Sequence, residues 1–182
     1  TIDATTDIIK LTANDMELGI ETVIRGQIDE KGMIALDARI FSDIVRKLPD
    51  NEIVIESGVN FQTLITCEKA KFNISGKSGE DFSYLPYIER ENPVSISQFT
   101  LKEVIRQTIF SIADNDSNKL MTGELFDMNG DILKVVSLDG HRISIRKIEL
   151  KEFYEPKKIV VPGKTLIEVS KILSGEADSE VR

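Results

Sequence analysis

The most reactive-looking cluster in the 182-residue chain is Asp139-Gly140-His141-Arg142, an acid, the only His and an Arg between two strand-like runs. Catalysis there would make His141 a general base oriented by Asp139. No nucleophile elbow, second His or paired carboxylate accompanies it, so a turn that satisfies backbone hydrogen bonds is the stronger expectation. Asp114-Asn115-Asp116-Ser117-Asn118 begins like a calcium loop, but the positions that need Gly and Glu hold Lys119 and Leu125. Gly76-Lys77-Ser78-Gly79 has the ending of a phosphate loop, yet Phe72 stands where its first Gly is required. Cys67 lies in an apolar strand pattern and reads as a small core side chain. A single Cys and a single His exclude a disulfide framework, a thiolate metal cage and any site of two imidazoles, and the lone thiol fits a reducing, cytoplasmic compartment. Neither a metal nor a cofactor is expected.

A second signal is charge. Arg39 and Arg46 stand two helical turns apart with Lys47 adjacent, and Lys164 and Lys171 repeat that spacing later in the chain. Lys102 and Arg106 lie one turn apart on a further helix. Cations therefore recur at equivalent places in a chain whose 31 acidic and 23 basic residues give a net charge of −8. Asp43, Glu103 and Glu168 are interleaved, so an ordinary solvated face is one reading. The other is a basic helical lining that meets phosphates by charge without reading bases.

The elements that must carry these residues follow from pattern. One helix is expected over Arg39 to Leu48, with Ile40, Phe41, Ile44 and Leu48 on its apolar stripe. A capping box, Thr100 to Glu103, opens a second, which places Leu101, Val104, Ile105, Thr108, Ile109 and Ile112 on one face. The third runs from Pro162 as a first-turn residue through Leu166, Val169 and Leu173 to a stop at Gly175. Strands are expected at Ile53–Glu56, Gln62–Cys67, Lys71–Ser75, Leu125–Met128, Asp131–Val136 and Ile143–Ile148. Asn129-Gly130 reads as a two-residue hairpin between two of them. Phe82-Ser83-Tyr84-Leu85-Pro86 reads as a loop pinned onto the core. Hairpin-linked strands with few helices imply an α+β fold, antiparallel sheets covered by helices on one side. With 41% apolar residues the chain can bury a core, and no run approaches the roughly 20 apolar residues that span a bilayer.

The chain also repeats itself. Asp7-Ile8-Ile9-Lys10-Leu11 to Asp15 aligns with Asp131-Ile132-Leu133-Lys134-Val135 to Asp139, and Ile34–Leu48 aligns with Ile159–Leu173. The offsets are about 124 and about 125 residues, a whole-domain period. At one and a half periods, and with Thr rather than Met at position 1, the chain reads as a piece of something longer. The seam is expected in Glu91-Asn92-Pro93-Val94-Ser95-Ile96-Ser97, dividing it into 1–92 and 93–182.

Four stretches, in order, resemble the bacterial DNA polymerase III β subunit family of replicative sliding clamps. They are Leu11-Thr12-Ala13-Asn14-Asp15-Met16-Glu17, Phe41–Pro49, Asp81-Phe82-Ser83-Tyr84-Leu85-Pro86 and Leu138-Asp139-Gly140-His141-Arg142-Ile143. The resemblance spans essentially the whole chain. It implies repeated clamp domains, with antiparallel sheets outside and helices lining the inner face of a homodimeric ring around double-stranded DNA. Residues 1–92 would then be the later part of a first domain and 93–182 the earlier part of a second. The DNA-facing cations would be Arg39, Arg46, Lys47, Lys102, Arg106, Lys164 and Lys171. Met121, Leu138, Gly140, His141, Arg142 and Ile143 would form half of a groove for short hydrophobic motifs of the replicative polymerase, the clamp loader and repair proteins. Met121 and Leu138 stand where the family often has Leu and Thr, which keeps the groove apolar. The implied role is a processivity factor without catalysis. A peptide-binding adaptor of duplicated domains without DNA association is the alternative.

Overall fold

The computed structural model describes the chain except Glu17, Tyr84, residues 87–91, Asn115, Asp116, Ala177, Asp178 and Arg182. Parts of the expected seam, of the calcium-loop run and of the Phe82–Pro86 segment thus lie outside the described residues. The chain divides into two compact units, Thr1–Tyr87 and Ile88–Arg182.

In the first unit, strands β1 (Ile2–Asp3), β2 (Ile9–Asn14), β3 (Gly19–Ile24) and β4 (Met33–Ala35) precede helix α1 (Ala38–Val45). Strands β5 (Val54–Ser57), β6 (Gln62–Cys67), β7 (Ala70–Ser75) and β8 (Lys77–Ser78) follow. They form a five-stranded sheet, ordered β3-β2-β1-β4-β8, and a three-stranded sheet, β5-β6-β7, with every recorded pairing antiparallel. Ile34, Ile44, Ile65 and Cys67 are buried here. The Cys67 thiol points at the Pro49 carbonyl, 3.9 Å away, as a core residue would. Residues around Phe82 are pinned as expected: Leu85 packs on Gly19, and the Asn14 amide donates to the Ser83 carbonyl at 3.2 Å.

Helix α1 is shorter than its pattern. The Asp37 carboxylate accepts the Ile40 N–H at 2.9 Å as N-cap, and Arg46 is the C-cap, so Leu48 falls outside the helix. Of the expected stripe only Ile44 is fully buried, while Ile40 remains half exposed.

The second unit contains β9 (Ile96–Ser97), α2 (Gln98–Thr108), β10 (Gly123–Leu138), β11 (Ile143–Pro162), α3 (Gly163–Ile172) and β12 (Glu180–Val181). β10 and β11 form a long antiparallel ribbon, and β9 pairs with β12. The ribbon's inner face buries Phe126, Met128, Leu133, Val135 and Leu150 against Val104 and Ile105 of α2 and Leu166 of α3. That alternation of buried and accessible residues on β10 is the period of two expected when one sheet face meets a core.

Three expectations are corrected in this unit. Asn129-Gly130 is not a hairpin. A type I′ turn needs positive φ at both central residues, and only Gly130, at 66°, has it. β11 is long enough to pair along all of β10, so the positive-φ Gly becomes a bulge with register shifts on either side of it. The N-cap of α2 is Ser97, three residues before the expected Thr100, because Ser97 accepts the Thr100 N–H and Gln98 N–H donates to the Ser179 carbonyl. Glu103 then serves a side-chain pair instead of the cap. Pro162 is the N-cap of α3 rather than a first-turn residue, and the extended backbone of Leu173 ends that helix before Gly175.

The repeat is visible as architecture. The first aligned segment is β2 in one unit and the distal half of β10 in the other, each leading into an antiparallel hairpin. The second is β4 with α1, and the end of β11 with α3.

Candidate functional site

Helix geometry decides where the cations point. On α1 the exposed positions include Arg39, Asp43 and Arg46, an i, i+4, i+7 stripe opposite buried Ile44, with Lys47 exposed beyond the C-cap. Among the described residues none of these three cations has an ion pair. On α3, buried Gly163 and Leu166 set the inner face and leave Lys164 and Lys171 exposed on the other side. Lys171 pairs with Glu168 at 2.7 Å. On α2, the Arg106 guanidinium grips Glu103 through two hydrogen bonds of 3.0 and 2.7 Å, which holds the Glu103 carboxyl below its usual range. Lys102 differs from the rest. Its ammonium donates to the Leu173 carbonyl at 3.1 Å, across to the last turn of α3, where the helix dipole favours a cation.

The Asp139–Arg142 turn joins β10 to β11. Gly140 has φ +86°, a conformation L-residues rarely adopt. Asp139 organises the turn: one carboxylate oxygen accepts the backbone N–H groups of His141 and Arg142, both at 3.0 Å, and the other meets Arg142 Nε at 2.8 Å. These bonds, led by the His141 N–H, depress the Asp139 pKa. The carboxylate thus engages the backbone of His141, and the imidazole is exposed. The acid–base geometry of the enzyme reading is not formed.

Apolar residues flank the turn. Leu138 and Ile143 are directly paired across the ribbon and 37% and 60% exposed. Met121 lies in a 3-10 turn, Lys119–Thr122, whose carbonyl at Met121 accepts the Ala113 N–H at 2.9 Å. Ser111 and Ser144 hydroxyls meet at 2.6 Å, and the Ser137 hydroxyl donates to the Thr108 carbonyl at 2.5 Å. These bonds fix the end of α2 against the ribbon beside the turn. The expected groove residues Leu138, Gly140, His141, Arg142 and Ile143 are therefore one contiguous, accessible strand end.

Two features escaped the sequence reading. Glu124 on β10 is fully buried, and neither carboxylate oxygen has a hydrogen-bond partner. Burial pushes its pKa up to about 7, with only Thr108 acting to lower it. The Thr108 hydroxyl instead donates to the Val104 carbonyl at 2.7 Å, so its single proton is committed elsewhere. The second is Asp127, which lines a hollow on the outer face of the ribbon with Lys134, Lys147 and Lys158. Among the described residues no group of His, Cys, Asp or Glu is arranged to hold a metal, and no helix is long and apolar enough to cross a membrane.

Comparison with known proteins matches this architecture domain by domain. Residues 1–86 match the N-terminal domain of the DNA polymerase III beta subunit, and residues 95–182 match its central domain. The beta sliding clamp of Staphylococcus epidermidis is 34% identical over 188 aligned residues, covering 99% of this chain and 50% of that protein. The crystal structure of a DNA polymerase III beta subunit from Eubacterium rectale superposes with a TM-score of 0.95 at 69% identity, covering 99% of this chain and 49% of the other. The DNA polymerase sliding clamp from Bacillus subtilis gives a TM-score of 0.89 at 33% identity, with 99% and 50% covered. The chain thus spans about half the length of the relatives it matches, and two consecutive domain matches in one order show that it belongs to the DNA polymerase III beta-subunit family of sliding clamps.

Proposed function

We propose that this chain is part of a processivity factor of bacterial chromosomal replication, a homodimeric ring that encircles double-stranded DNA and tethers the replicative polymerase. The clamp loader and repair proteins bind the same ring through short hydrophobic motifs. Residues 1–92 belong to its first domain and 93–182 to its second. The protein acts in the cytoplasm and without catalysis, by topology: a closed ring cannot leave DNA sideways, so it raises the local concentration of its partner at the primer end.

The observation that supports this most directly is the recurrence of exposed cations on the outer stripes of α1 and α3 in a chain of net charge −8. Arg39, Arg46 and Lys47 in one unit, with Lys164 and Lys171 in the other, supply sequence-blind attraction to phosphates; Arg106 adds to it, and Lys102 serves the end of α3 first. Met121, Leu138, Gly140, His141, Arg142 and Ile143 supply one half of the groove that receives a partner's apolar side chains. Reversing Arg39, Arg46, Lys164 and Lys171 to Glu in the full-length protein should abolish its retention on circular DNA. Retention equal to wild type removes these helices from the DNA-facing surface.

A second reading has one observation in its favour. Arg106 and Lys171 are already paired with neighbouring carboxylates, which lowers the net positive charge of α2 and α3. A peptide-binding adaptor with incidental cations would show this, and would bind hydrophobic peptides at the Asp139–Ile143 turn with no DNA association at any salt concentration.

A further inference from the structure

The outer face of the β10–β11 ribbon carries a concave site that shares no residue with the turn at Asp139–Arg142. It has a volume of about 430 Å3, towards the lower end of the roughly 300–1,000 Å3 typical of ligand pockets. Three lysines reach it: Lys134 from β10, and Lys147 and Lys158 from β11. A single carboxylate, Asp127, stands among them, 3.9 Å from Lys134 and 3.5 Å from Lys158. Lys134 and Lys147 are directly opposed across the ribbon, where like charges destabilise a strand pair. Lys147 has no ion pair among the described residues. The site therefore holds three ammonium groups against one carboxylate, in a chain of net charge −8.

Ile132, 40% exposed, and Pro156 add apolar surface to the site, and the largely buried Met128 and the polar Asn129 complete the lining. At the margin, the bulge at Gly130 holds the ring of Phe153, which is 81% exposed. An aromatic left so open beside a basic, partly apolar hollow has the composition of a contact surface rather than of a solvated strand.

We propose that this hollow binds an acidic peptide segment of a partner protein, an apolar side chain set between carboxylates. The apolar side chain covers Ile132 and Pro156, and the carboxylates meet Lys147 and Lys134, relieving their mutual repulsion. A nucleic-acid backbone fits less well, because a phosphodiester chain offers nothing to the apolar surface of Ile132 and Pro156. The contact lies apart from the groove at Ile143, so one partner can engage both.

The test is fluorescence anisotropy of a fluorescein-labelled peptide of alternating Glu and Leu, titrated with the full-length protein. A Lys-for-Glu peptide and a labelled single-stranded oligonucleotide serve as comparisons. The acidic peptide should bind, weaken with added salt as exposed charges are screened, and lose about tenfold in affinity in Lys147→Glu. Phe153→Ala, which removes an exposed ring and leaves the fold intact, should weaken binding while preserving its salt dependence. No binding of the acidic peptide overturns the proposal, as does equal binding of the Lys peptide or an unchanged affinity in Lys147→Glu. Oligonucleotide binding that Lys147→Glu abolishes, with the peptide inert, assigns the hollow to nucleic acid instead.

Discussion

Burial of Glu124 makes the stability of the second unit depend on pH in a direction that can be worked out beforehand. The carboxylate lies at 0% exposure between β10 and α2 with both oxygens unpartnered, and its pKa is pushed up to about 7. Among the described residues no charged group opposes this. On α2 Lys102 and Arg106 are committed to Leu173 and Glu103, on α3 the cations are on the exposed side, and on β11 Lys157 and Lys158 are exposed. A raised carboxyl pKa means the folded state holds its proton more tightly than the unfolded chain, in which the usual value is 4.5. The stability linked to this proton is complete below pH 4.5 and disappears as pH rises through about 7. At about 1.36 kcal/mol per pH unit the whole effect has a ceiling of ~3 kcal/mol, and some hydration of the ionised carboxylate brings the expected loss between pH 5 and pH 8 to about 2 kcal/mol. Glu124→Gln keeps the shape and removes the titration. Denaturant unfolding of wild type and Glu124→Gln, followed by circular dichroism across that range, isolates the term as the difference between two otherwise identical curves. Wild type should fall behind the variant from about pH 5, with most of the loss complete by about pH 7. Parallel curves, with a constant gap at every pH, refute the reasoning and place a proton donor or water against the carboxylate.

Other consequences are simpler to state. Lys102→Met keeps the aliphatic stem but removes the ammonium from the Leu173 carbonyl, and should cost about 1 kcal/mol in unfolding free energy. Gly163→Ala drives a Cβ into Ile112 and to 3.0 Å from the Thr122 carbonyl, a backbone atom that cannot step aside, so a loss of about 2 kcal/mol or more is expected by thermal denaturation. Asp139→Asn should speed amide exchange at His141 and Arg142, read by nuclear magnetic resonance. Because the native pKa of Asp139 is depressed, wild type should approach that behaviour only as pH falls through the depressed value.

Much of this molecule is legible in order along the chain. The apolar face of α2, the core role of Cys67 and the turn at Asp139 follow from periodicity and turn chemistry, which are local rules. What failed depended on distant partners. Asn129-Gly130 has the composition of a hairpin, but Gly130 pairs with Tyr154, 24 residues downstream (154 − 130), and tertiary pairing overrides the local preference. That same error hid the basic hollow, since a hairpin at Asn129 would never bring Lys147 and Lys158 to Asp127. Glu124 was overlooked for a related reason. A Glu two residues before a Phe in a strand pattern reads as solvent-facing or as noise, and only the packing of α2 on the ribbon makes it fully buried. The helix caps moved because Ser97 and Thr100 are both competent N-caps, and the bond from Gln98 N–H to Ser179 decides between them.

On the proposed reading of these helices as DNA-facing, the pairing of their cations bears on how a ring could hold DNA and still slide. An exposed ion pair is weak, so Arg106 and Lys171 can exchange Glu103 and Glu168 for a phosphate at little cost. The carboxylates left behind then repel the same phosphate, which keeps each contact shallow. Arg39 and Arg46 share their stripe with Asp43 but form no ion pair among the described residues, and Lys102 already donates to the Leu173 carbonyl. Single charge removals should therefore rank in salt-dependent DNA retention, with Arg39 and Arg46 first, Arg106 and Lys171 next and Lys102 last, even though all five lie on similar helical stripes. A uniform loss across the five would mean that pairing within the helices has no bearing on the contact, and that total charge alone sets it.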